Sequence, residues 1–334
     1  MKYFITGATG FIGGRLAQQL REAGHDVNAI VRNPAKAQRL AQLGVTLYPG
    51  DVTEKESMRE PMAGVDGVFH VAGWYKVGGR DKSQAYAINV EGTRNVLELM
   101  KELNIPKGVY TSTLAVNSDT HGVAVDESYR FTGRHISVYD ETKGEAHDVA
   151  VKMIEKGLPL VIVQPGLVYG PGDTSSVRTS FIQYLTKKLP VMPRQTAYSW
   201  AHVDDIAHAH WLAMEKGKTG ENYFICGPIH TLVNALEIAK EITGVRLPMS
   251  VPAGMVRAMA AVMSVLDRFI PVPGSYSGEG LRIVAGVTYL GNNGKAKREL
   301  GYDPRPLRVG LTETLKHEMD LLGMTHSLDR NNPL

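Results

Sequence analysis

The chain has 334 residues and a formal net charge of +3, with 43% hydrophobic and 21% charged residues. This balance is typical of a folded protein, and the length predicts two lobes. The basic residues are scattered along the chain, so we predict no nucleic-acid partner. Cys226 is the single cysteine, which excludes a disulfide within the chain and favours a reducing, cytoplasmic location.

Neither a secretion signal nor a membrane-spanning segment is expected from the apolar residues. The chain reaches glycine only a few residues after Met1, before the apolar core of a signal peptide could form. The longest apolar stretch, 255–272, is interrupted by charged residues, whereas a spanning helix needs about 20 mostly apolar residues. We therefore predict no stable membrane insertion.

The first half of the chain alternates short apolar runs with segments of helical spacing. This alternation predicts βαβ units and a doubly wound parallel sheet that is buried on both faces. The runs predicted as strands are Tyr3–Ile5, Val27–Val31, Val45–Leu47, Gly67–Ala72, Gly108–Thr113 and Leu158–Val163.

The pattern changes after Gly170, and the remainder predicts a smaller, mostly helical C-terminal lobe. One strand candidate remains there, Asn222–Ile225, and the predicted helices are Asp204–Met214, Asn234–Ile242, Met255–Phe269 and Val309–Leu322. We predict a cofactor-binding domain at 1–168, to which 199–226 returns, a substrate-binding lobe at 169–198 and 227–325, and a tail at 326–334.

The first predicted strand leads into a glycine-rich turn with the spacing G-x-x-G-x-x-G, formed by Gly7, Gly10 and Gly13. Glycine permits a tight turn from strand to helix and close approach of the backbone to a pyrophosphate. The N-terminus of the following helix offers free N–H groups to that anion. We therefore expect a dinucleotide at Gly7, Thr9, Gly10, Phe11 and Ile12.

The loop after the second strand predicts which dinucleotide is bound. It carries Arg32 and Lys36 and no carboxylate, whereas an acidic residue would bind the free ribose hydroxyl of NAD. Arg can bind a 2′-phosphate through two hydrogen bonds, so we predict NADP (NADPH) in preference to NAD. Asp51, after the third strand, is expected at the adenine edge.

Tyr139 and Lys143 form a Y-x-x-x-K pattern, which places both side chains on one face of a helix. A nearby ammonium group is expected to lower the pKa of the tyrosine from about 10, which suits general acid–base catalysis. The preceding strand ends in Thr111, Ser112 and Thr113, whose hydroxyls could hold a substrate oxygen or merely cap a turn.

These motifs occur in one order along nearly the whole chain. The motifs are the glycine turn, Asp51, Val71-Ala72-Gly73, Asn89-Val90-Glu91-Gly92-Thr93, Thr111-Ser112-Thr113, Tyr139-x-x-x-Lys143 and Pro165-x-x-Val168-Tyr169-Gly170-Pro171. Together they resemble the extended short-chain dehydrogenases/reductases of the epimerase/dehydratase family, which have a Rossmann fold.

The resemblance implies a role for each of the matching residues. Tyr139 would be the acid/base, Lys143 would bind the nicotinamide ribose and tune Tyr139, and Thr113 would be the catalytic hydroxyl, with Ser112 as second choice. The remaining implied cofactor contacts are Val52, Val71, Ala72, Gly73, Thr111, Pro165 and Val168.

The same resemblance leaves more than one reaction open. Relatives that act on sugar nucleotides usually carry Asn and Arg where this chain has Leu167 and Tyr198, and its segments near Arg32 and Leu167 look more like dihydroflavonol reductases. We therefore predict NADPH-dependent reduction of a small aldehyde or ketone by a monomer or homodimer. The alternative is a sugar-nucleotide epimerase or dehydratase with tightly bound NAD(P), and a non-catalytic NADP-binding regulator is less favoured.

Other side chains give secondary expectations. His202, His208 and His210 lack the spacing of metal ligands, so no metal is predicted. The methionine-rich segment 255–263 is expected to pack inside the second lobe, since Met fills irregular gaps, although it could instead line a substrate entrance or touch a membrane surface. Four aromatic residues favour an apolar substrate: Phe181, Tyr184, Trp200 and Phe269. After the fourth strand, Trp74, Tyr75 and Lys76 could contact substrate or pack.

Overall fold

The computed structural model describes residues 1–75, 82–267, 269, 272 and 274–324. Lys76 and the predicted tail at 326–334 lie outside these residues. Among the described residues, no helix is long and apolar enough to cross a membrane.

The strands fall into one large sheet and two small ones. They are β1 (Lys2–Thr6), β2 (Asp26–Val31), β3 (Thr46–Pro49), β4 (Gly67–His70), β5 (Gly108–Thr111), β6 (Leu160–Pro165), β7 (Leu167–Tyr169), β8 (Val191–Pro193), β9 (Ala197–His202), β10 (Asn222–Ile225), β11 (Ile229–Thr231), β12 (Met249–Val251) and β13 (Thr288–Tyr289).

The α-helices lie between these strands and after them. They are α1 (Phe11–Glu22), α2 (Gln38–Gln42), α3 (Arg59–Met62), α4 (Ser83–Tyr86), α5 (Gly92–Glu102), α6 (Val138–Glu155), α7 (Ser176–Leu185), α8 (Val203–Lys216), α9 (Leu232–Thr243), α10 (Ala253–Leu266), α11 (Gly278–Arg282), α12 (Gly294–Leu300) and α13 (Leu307–Leu321).

The large sheet is parallel and has the strand order β10-β6-β5-β4-β1-β2-β3. The prediction of a doubly wound sheet is confirmed. Helices α1 and α8 pack together over one face of the sheet, and α5 and α6 pack together over the other, so the apolar strands are buried on both sides. The winding direction reverses between β1 and β4, and ligands of such sheets bind at the carboxyl ends of the strands beside that point.

The smaller lobe contains more strand than the sequence indicated. Strand β9 lies in a four-stranded sheet with β7, β11 and β13, and β8 pairs with β12. These strands are mostly two or three residues long, so they carry no readable alternation of apolar and polar residues. Strand β10 instead extends the large sheet beside β6.

Two packing expectations for the smaller lobe are wrong. Phe181, Tyr184 and Trp200 are buried in its hydrophobic core and Phe269 is exposed, so the four side chains form no common lining. Within the methionine-rich helix α10, the structure exposes Met255 and Met259. The pattern of apolar residues predicts an apolar helix here, but it does not predict which face a neighbouring helix covers.

Candidate active site

The glycine turn joins β1 to α1 through a close backbone contact. Gly7 has a φ of 73°, and a Cβ atom there would lie 2.7 Å from the Ala72 nitrogen. A Cβ atom on Gly13 would overlap the carbonyl oxygen of Gly7. Both positions therefore require glycine, because any side chain would push the turn away from β4.

The open end of α1 fits a phosphate group. No side chain caps this helix at Gly10, and Thr9 and Gly10 are exposed, so its first N–H groups are available to an anion. Phe11 and Ile12, in the first turn, are half-buried. The residues present therefore fit the pyrophosphate of a dinucleotide.

The predicted adenosine contacts lie after β2 and β3. Arg32 and Lys36 are exposed, and neither forms an ion pair with the residues that the structure describes. One carboxylate oxygen of Asp51 accepts hydrogen bonds from the Thr53 backbone N–H at 2.9 Å and hydroxyl at 2.8 Å. This edge of the sheet thus presents two cations to solvent where a 2′-phosphate is expected.

The other predicted cofactor residues occupy neighbouring strand ends. Val71 and Ala72 are half-buried and Gly73 is exposed where the chain leaves β4, Val52 is buried against Gly92 on α5, Pro165 ends β6, and Val168 pairs with Ala201 on β9. Of the possible substrate-contacting aromatic residues, Trp74 is buried and Tyr75 is exposed.

Tyr139 lies in the first turn of α6, and its phenol interacts with the hydroxyl of Thr113. Burial raises the pKa of Tyr139 to about 12, although the Thr113 hydroxyl acts in the opposite direction. The expected lowering of this pKa by Lys143 is therefore wrong for this structure. Burial destabilises the charged phenolate more than its polar neighbours stabilise it.

Lys143 is buried one turn later on α6, where its ammonium group is hydrogen-bonded. Its Nζ donates to the Thr111 carbonyl at 2.7 Å and to the Tyr110 hydroxyl at 3.3 Å, and it lies 4.8 Å from the Tyr110 ring centre. Burial lowers the pKa of Lys143 to about 7. A lysine with this pKa can gain or lose a proton near neutral pH.

The three hydroxyls that end the fifth strand segment have different partners. Thr111 is hydrogen-bonded to His210 Nε2 at 2.8 Å, and Ser112 is hydrogen-bonded to His147 Nδ1 at 2.9 Å. The Thr113 hydroxyl accepts the Ala115 N–H at 3.2 Å, and it is the hydroxyl that acts to lower the pKa of Tyr139. The geometry therefore favours Thr113 over Ser112 as the hydroxyl that acts beside the phenol.

A buried polar chain that sequence reasoning missed runs beneath Lys143. The Tyr110 hydroxyl lies next to Thr93, whose hydroxyl lies 2.9 Å from His70 Nε2, and His70 Nδ1 lies 2.8 Å from the Thr6 hydroxyl. Burial lowers the pKa of His70 to about 3, so the imidazole is neutral. The Thr6 oxygen also accepts the N–H groups of Val71 and Ala72. This series of polar side chains connects the glycine turn with Lys143. Its signal in the sequence is the presence of polar residues at the ends of apolar strands.

A second missed residue, Asp140, connects the start of α6 to the smaller lobe. Its carboxylate accepts hydrogen bonds from the Ser137 hydroxyl at 2.7 Å and the Tyr289 hydroxyl at 2.9 Å. Glu279 on α11 accepts the Val138 N–H at 2.9 Å. Burial raises the pKa of Asp140 to about 6. These bonds fix the position of the helix turn that carries Tyr139.

His202 approaches Asp204 and Glu313 closely enough to suggest a cation site. Arginine side chains already pair with both carboxylates, Arg15 with Asp204 and Arg305 with Glu313. His202 Nδ1 accepts the Asp204 N–H at 3.4 Å, which directs the proton of the neutral ring to Nε2. The arrangement therefore favours an ion-pair cluster between α8 and α13 over a metal centre.

Comparison with known proteins adds family information to this geometry. A model of the NAD dependent epimerase/dehydratase family matches residues 3–226. The chain is 29% identical over 326 residues to a putative dihydroflavonol 4-reductase of Synechocystis, covering 94% of this chain and 93% of that protein. It is 31% identical over 314 residues to the 4-hydroxy-2-methyl-3-oxo-4-farnesyl-3,4-dihydroquinoline-1-oxide ketoreductase of Stigmatella aurantiaca, covering 91% and 92%.

A solved structure resembles the chain over its whole length. The crystal structure of gox2253 superposes with a TM-score of 0.85 at 30% identity, covering 97% of this chain and 99% of that one. Since the covered share is nearly complete for both proteins, the two lobes are common to them.

Proposed function

Because the chain belongs to the NAD-dependent epimerase/dehydratase family, we propose that it reduces an apolar aldehyde or ketone to an alcohol with NADPH. The family and the relatives are oxidoreductases and epimerases that act on hydroxyl and carbonyl groups. The observation that carries the finer proposal is the phenol of Tyr139 next to the Thr113 hydroxyl, one helix turn from the buried Lys143.

The protonation states of these side chains suit reduction. With its pKa raised to about 12, Tyr139 holds its proton at neutral pH and can donate it to the substrate oxygen. Thr113 would orient that oxygen, and the bound nicotinamide would supply the hydride to the carbonyl carbon. The products are an alcohol and the oxidised cofactor, and Lys143 favours reprotonation of the tyrosinate.

The exposed cations after β2 support NADPH as the cofactor. Arg32 and Lys36 have no carboxylate partner among the described residues, and a 2′-phosphate would supply one anion for both. The unpartnered N-terminus of α1 would hold the pyrophosphate.

Leu167 and Tyr198 support an apolar substrate. They stand at the two positions where sugar-nucleotide enzymes carry polar groups. Leu167 packs against the core of the smaller lobe, and Tyr198 stacks on Tyr289 with ring centres 6.0 Å apart. Neither offers the cationic hydrogen bonds that a sugar diphosphate needs. The ketoreductase relative is named for a compound with a farnesyl group, which is an apolar chain, and we extend this preference to the present chain.

The experiment follows NADPH absorbance with a panel of aromatic, alkyl and isoprenoid carbonyl compounds, with NADH in parallel. We expect Tyr139→Phe to lower kcat at least 100-fold, because the proton donor is lost. Arg32→Ser should raise the KM for NADPH about tenfold and leave that for NADH unchanged, since only the 2′-phosphate contact is removed. Arg94→Ser, which removes an exposed arginine paired with Glu91, is the matched control.

The outcome also separates the two reactions that occur in the family. Nucleotide sugars are incubated with the same protein and analysed by mass and chromatography. Conversion of a nucleotide sugar without net cofactor consumption, together with no oxidation of NADPH by any carbonyl compound, would replace the reductase proposal with an epimerase.

A further inference from the structure

Helix α10 exposes an apolar stripe along its whole length. Met255, Met259, Val262 and Leu266 are spaced four, three and four residues apart, so they share one helix face. Met255 is 54% exposed and Val262 is 59% exposed. Large side chains scattered singly on a surface need no explanation, but a continuous row on one helix indicates an interaction site.

The opposite face of α10 is firmly packed. Val256 and Ala260 are buried against Leu281 and Ala285 in a small hydrophobic core of their own. The helix is therefore held in place by its inner face, and its outer stripe is a stable feature of the surface.

Three exposed arginines lie near the two ends of α10 and on its far side from the stripe, since Arg257 is two residues, or about 200°, from Met255 and from Met259. Arg194 donates to the Ser250 hydroxyl at 3.2 Å, just before α10 begins, and Arg282 donates to the Ser264 hydroxyl at 2.8 Å in its last turns. Arg257 lies within the helix, and all three arginines are exposed. None of them forms an ion pair with the described part of the chain. Segments 186–198 and 244–266 contain no acidic residue at all.

We propose that α10 docks on the surface of an anionic lipid bilayer, with the apolar stripe among the upper acyl chains and the arginines at the headgroups. An apolar helix face with cationic flanks is the composition of helices that lie in such an interface. A second copy of the chain is a poorer partner, because Arg257 is the one charged residue of α10, so a two-fold contact between the helices offers it no acidic side chain of α10.

Helix α10 contacts α11, and α11 contacts the start of α6, which carries Tyr139. Ser264 of α10 contacts Gly278 at the start of α11, and Glu279 of α11 accepts the N–H of Val138, next to Tyr139. If the substrate is apolar, as the proposed function holds, docking places the smaller lobe where such compounds are dissolved. The docking itself is measured without substrate, so its failure is distinguishable from failure of the proposed reaction.

The test is co-sedimentation of the full chain with vesicles of phosphatidylcholine and phosphatidylglycerol in equal parts, compared with vesicles of phosphatidylcholine alone. We expect preferential binding to the mixed vesicles. The double variant Met259→Ser, Val262→Ser should bind at least tenfold more weakly, because two apolar side chains no longer enter the acyl region. Arg257→Gln should weaken binding about fivefold.

The chain offers a closely matched control on another helix. Val309 and Leu321 on α13 are 46% and 60% exposed, against 45% and 59% for Met259 and Val262. The variant Val309→Ser, Leu321→Ser should bind as the unmodified chain does. Equal binding to both vesicle types, or equal binding by the two double variants, would overturn the proposal. So would light scattering that shows a dimer converted to a monomer by Met259→Ser, Val262→Ser with no vesicle binding.

Discussion

Helix α6 buries Asp140, Thr142 and Lys143, whereas helix α10 exposes Met255 and Val262. Both helices thus reverse the usual relation between polarity and burial, in opposite directions. In α6 each buried polar group has partners from other elements, and the helix carries the candidate proton donor. In α10 the apolar side chains of the stripe remain about half exposed. A buried polar side chain with hydrogen-bond partners therefore indicates internal chemistry, whereas an exposed apolar helix face indicates a surface that contacts something outside the protein.

The largest expected effect comes from removing the buried ammonium group. Lys143→Met keeps the length of the side chain but removes the hydrogen bonds to Thr111 and Tyr110, so we expect kcat of the proposed reductase to fall at least 100-fold. The circular dichroism spectrum should be unchanged. A variant that retains full activity would show that α6 buries this lysine for a reason other than catalysis.

The stability of the unmodified protein, measured relative to the same variant, should depend on pH in a defined direction. The pKa of Lys143 is lowered from 10.5 to about 7, so between these values the unfolded chain binds a proton that the folded chain does not. The free energy of unfolding of the unmodified protein should therefore rise from pH 7 to pH 10.5, relative to Lys143→Met, by a few kcal/mol. Urea unfolding of both proteins at several pH values measures this difference in the free energy of unfolding. A difference that does not change with pH would contradict the lowered pKa of Lys143.

Asp140→Asn tests the second buried charge of α6. The folded pKa of Asp140 is raised from 3.8 to about 6, so the folded chain retains a proton that the unfolded chain loses. The stability of the unmodified protein should fall as pH rises through this window. Asparagine keeps an acceptor for one of the two hydroxyls, and its amide N–H can donate to the other. We expect Asp140→Asn to gain about 2 kcal/mol between pH 4 and pH 7, relative to the unmodified chain. A gain at pH 4 as large as that at pH 7 would refute the assignment.

Tyr110→Phe tests the polar chain beneath the lysine. It removes the hydroxyl that accepts from Lys143 but keeps the ring beneath the ammonium group. We expect kcat to fall about tenfold and the Lys143-dependent limb of the pH–rate profile to move to lower pH, because the ammonium form loses a partner. Tyr302→Phe is the control, since the Tyr302 hydroxyl is buried without a hydrogen-bond partner among the described residues. Equal profiles for the two variants would remove the positioning role of Tyr110.

The smallest effects are expected on α10 and separate its two faces. Val256→Ala removes methyl groups from a packed core and should lower the free energy of unfolding by about 1 to 2 kcal/mol. Val262→Ala, on the exposed stripe, should change it by less than about 0.5 kcal/mol. Thermal unfolding of both variants compares identical substitutions six residues apart. A large loss from Val262→Ala would mean that the stripe is already covered within the protein.

The parallel, doubly wound character of the large sheet and the position of the glycine turn could be predicted from local pattern. Alternating apolar runs and helical spacing depend on residues a few positions apart, and Gly7 and Gly13 act through the turn that they form themselves. The pairing of Tyr139 with Lys143 on one helix is likewise a property of a four-residue spacing. For these features the sequence by itself was sufficient, because the physical cause lies within one or two neighbouring elements.

The environment of those same residues was decided only by the tertiary structure. Tyr110 lies 33 residues before Lys143, and Tyr289 lies 149 residues after Asp140, so no local pattern announces either contact. The pKa of Tyr139 rises because burial outweighs its polar partners, a balance that depends on everything packed around the phenol. The exposed stripe of α10 has the same origin, since apolar periodicity identifies a helix face but only packing decides whether another element covers it.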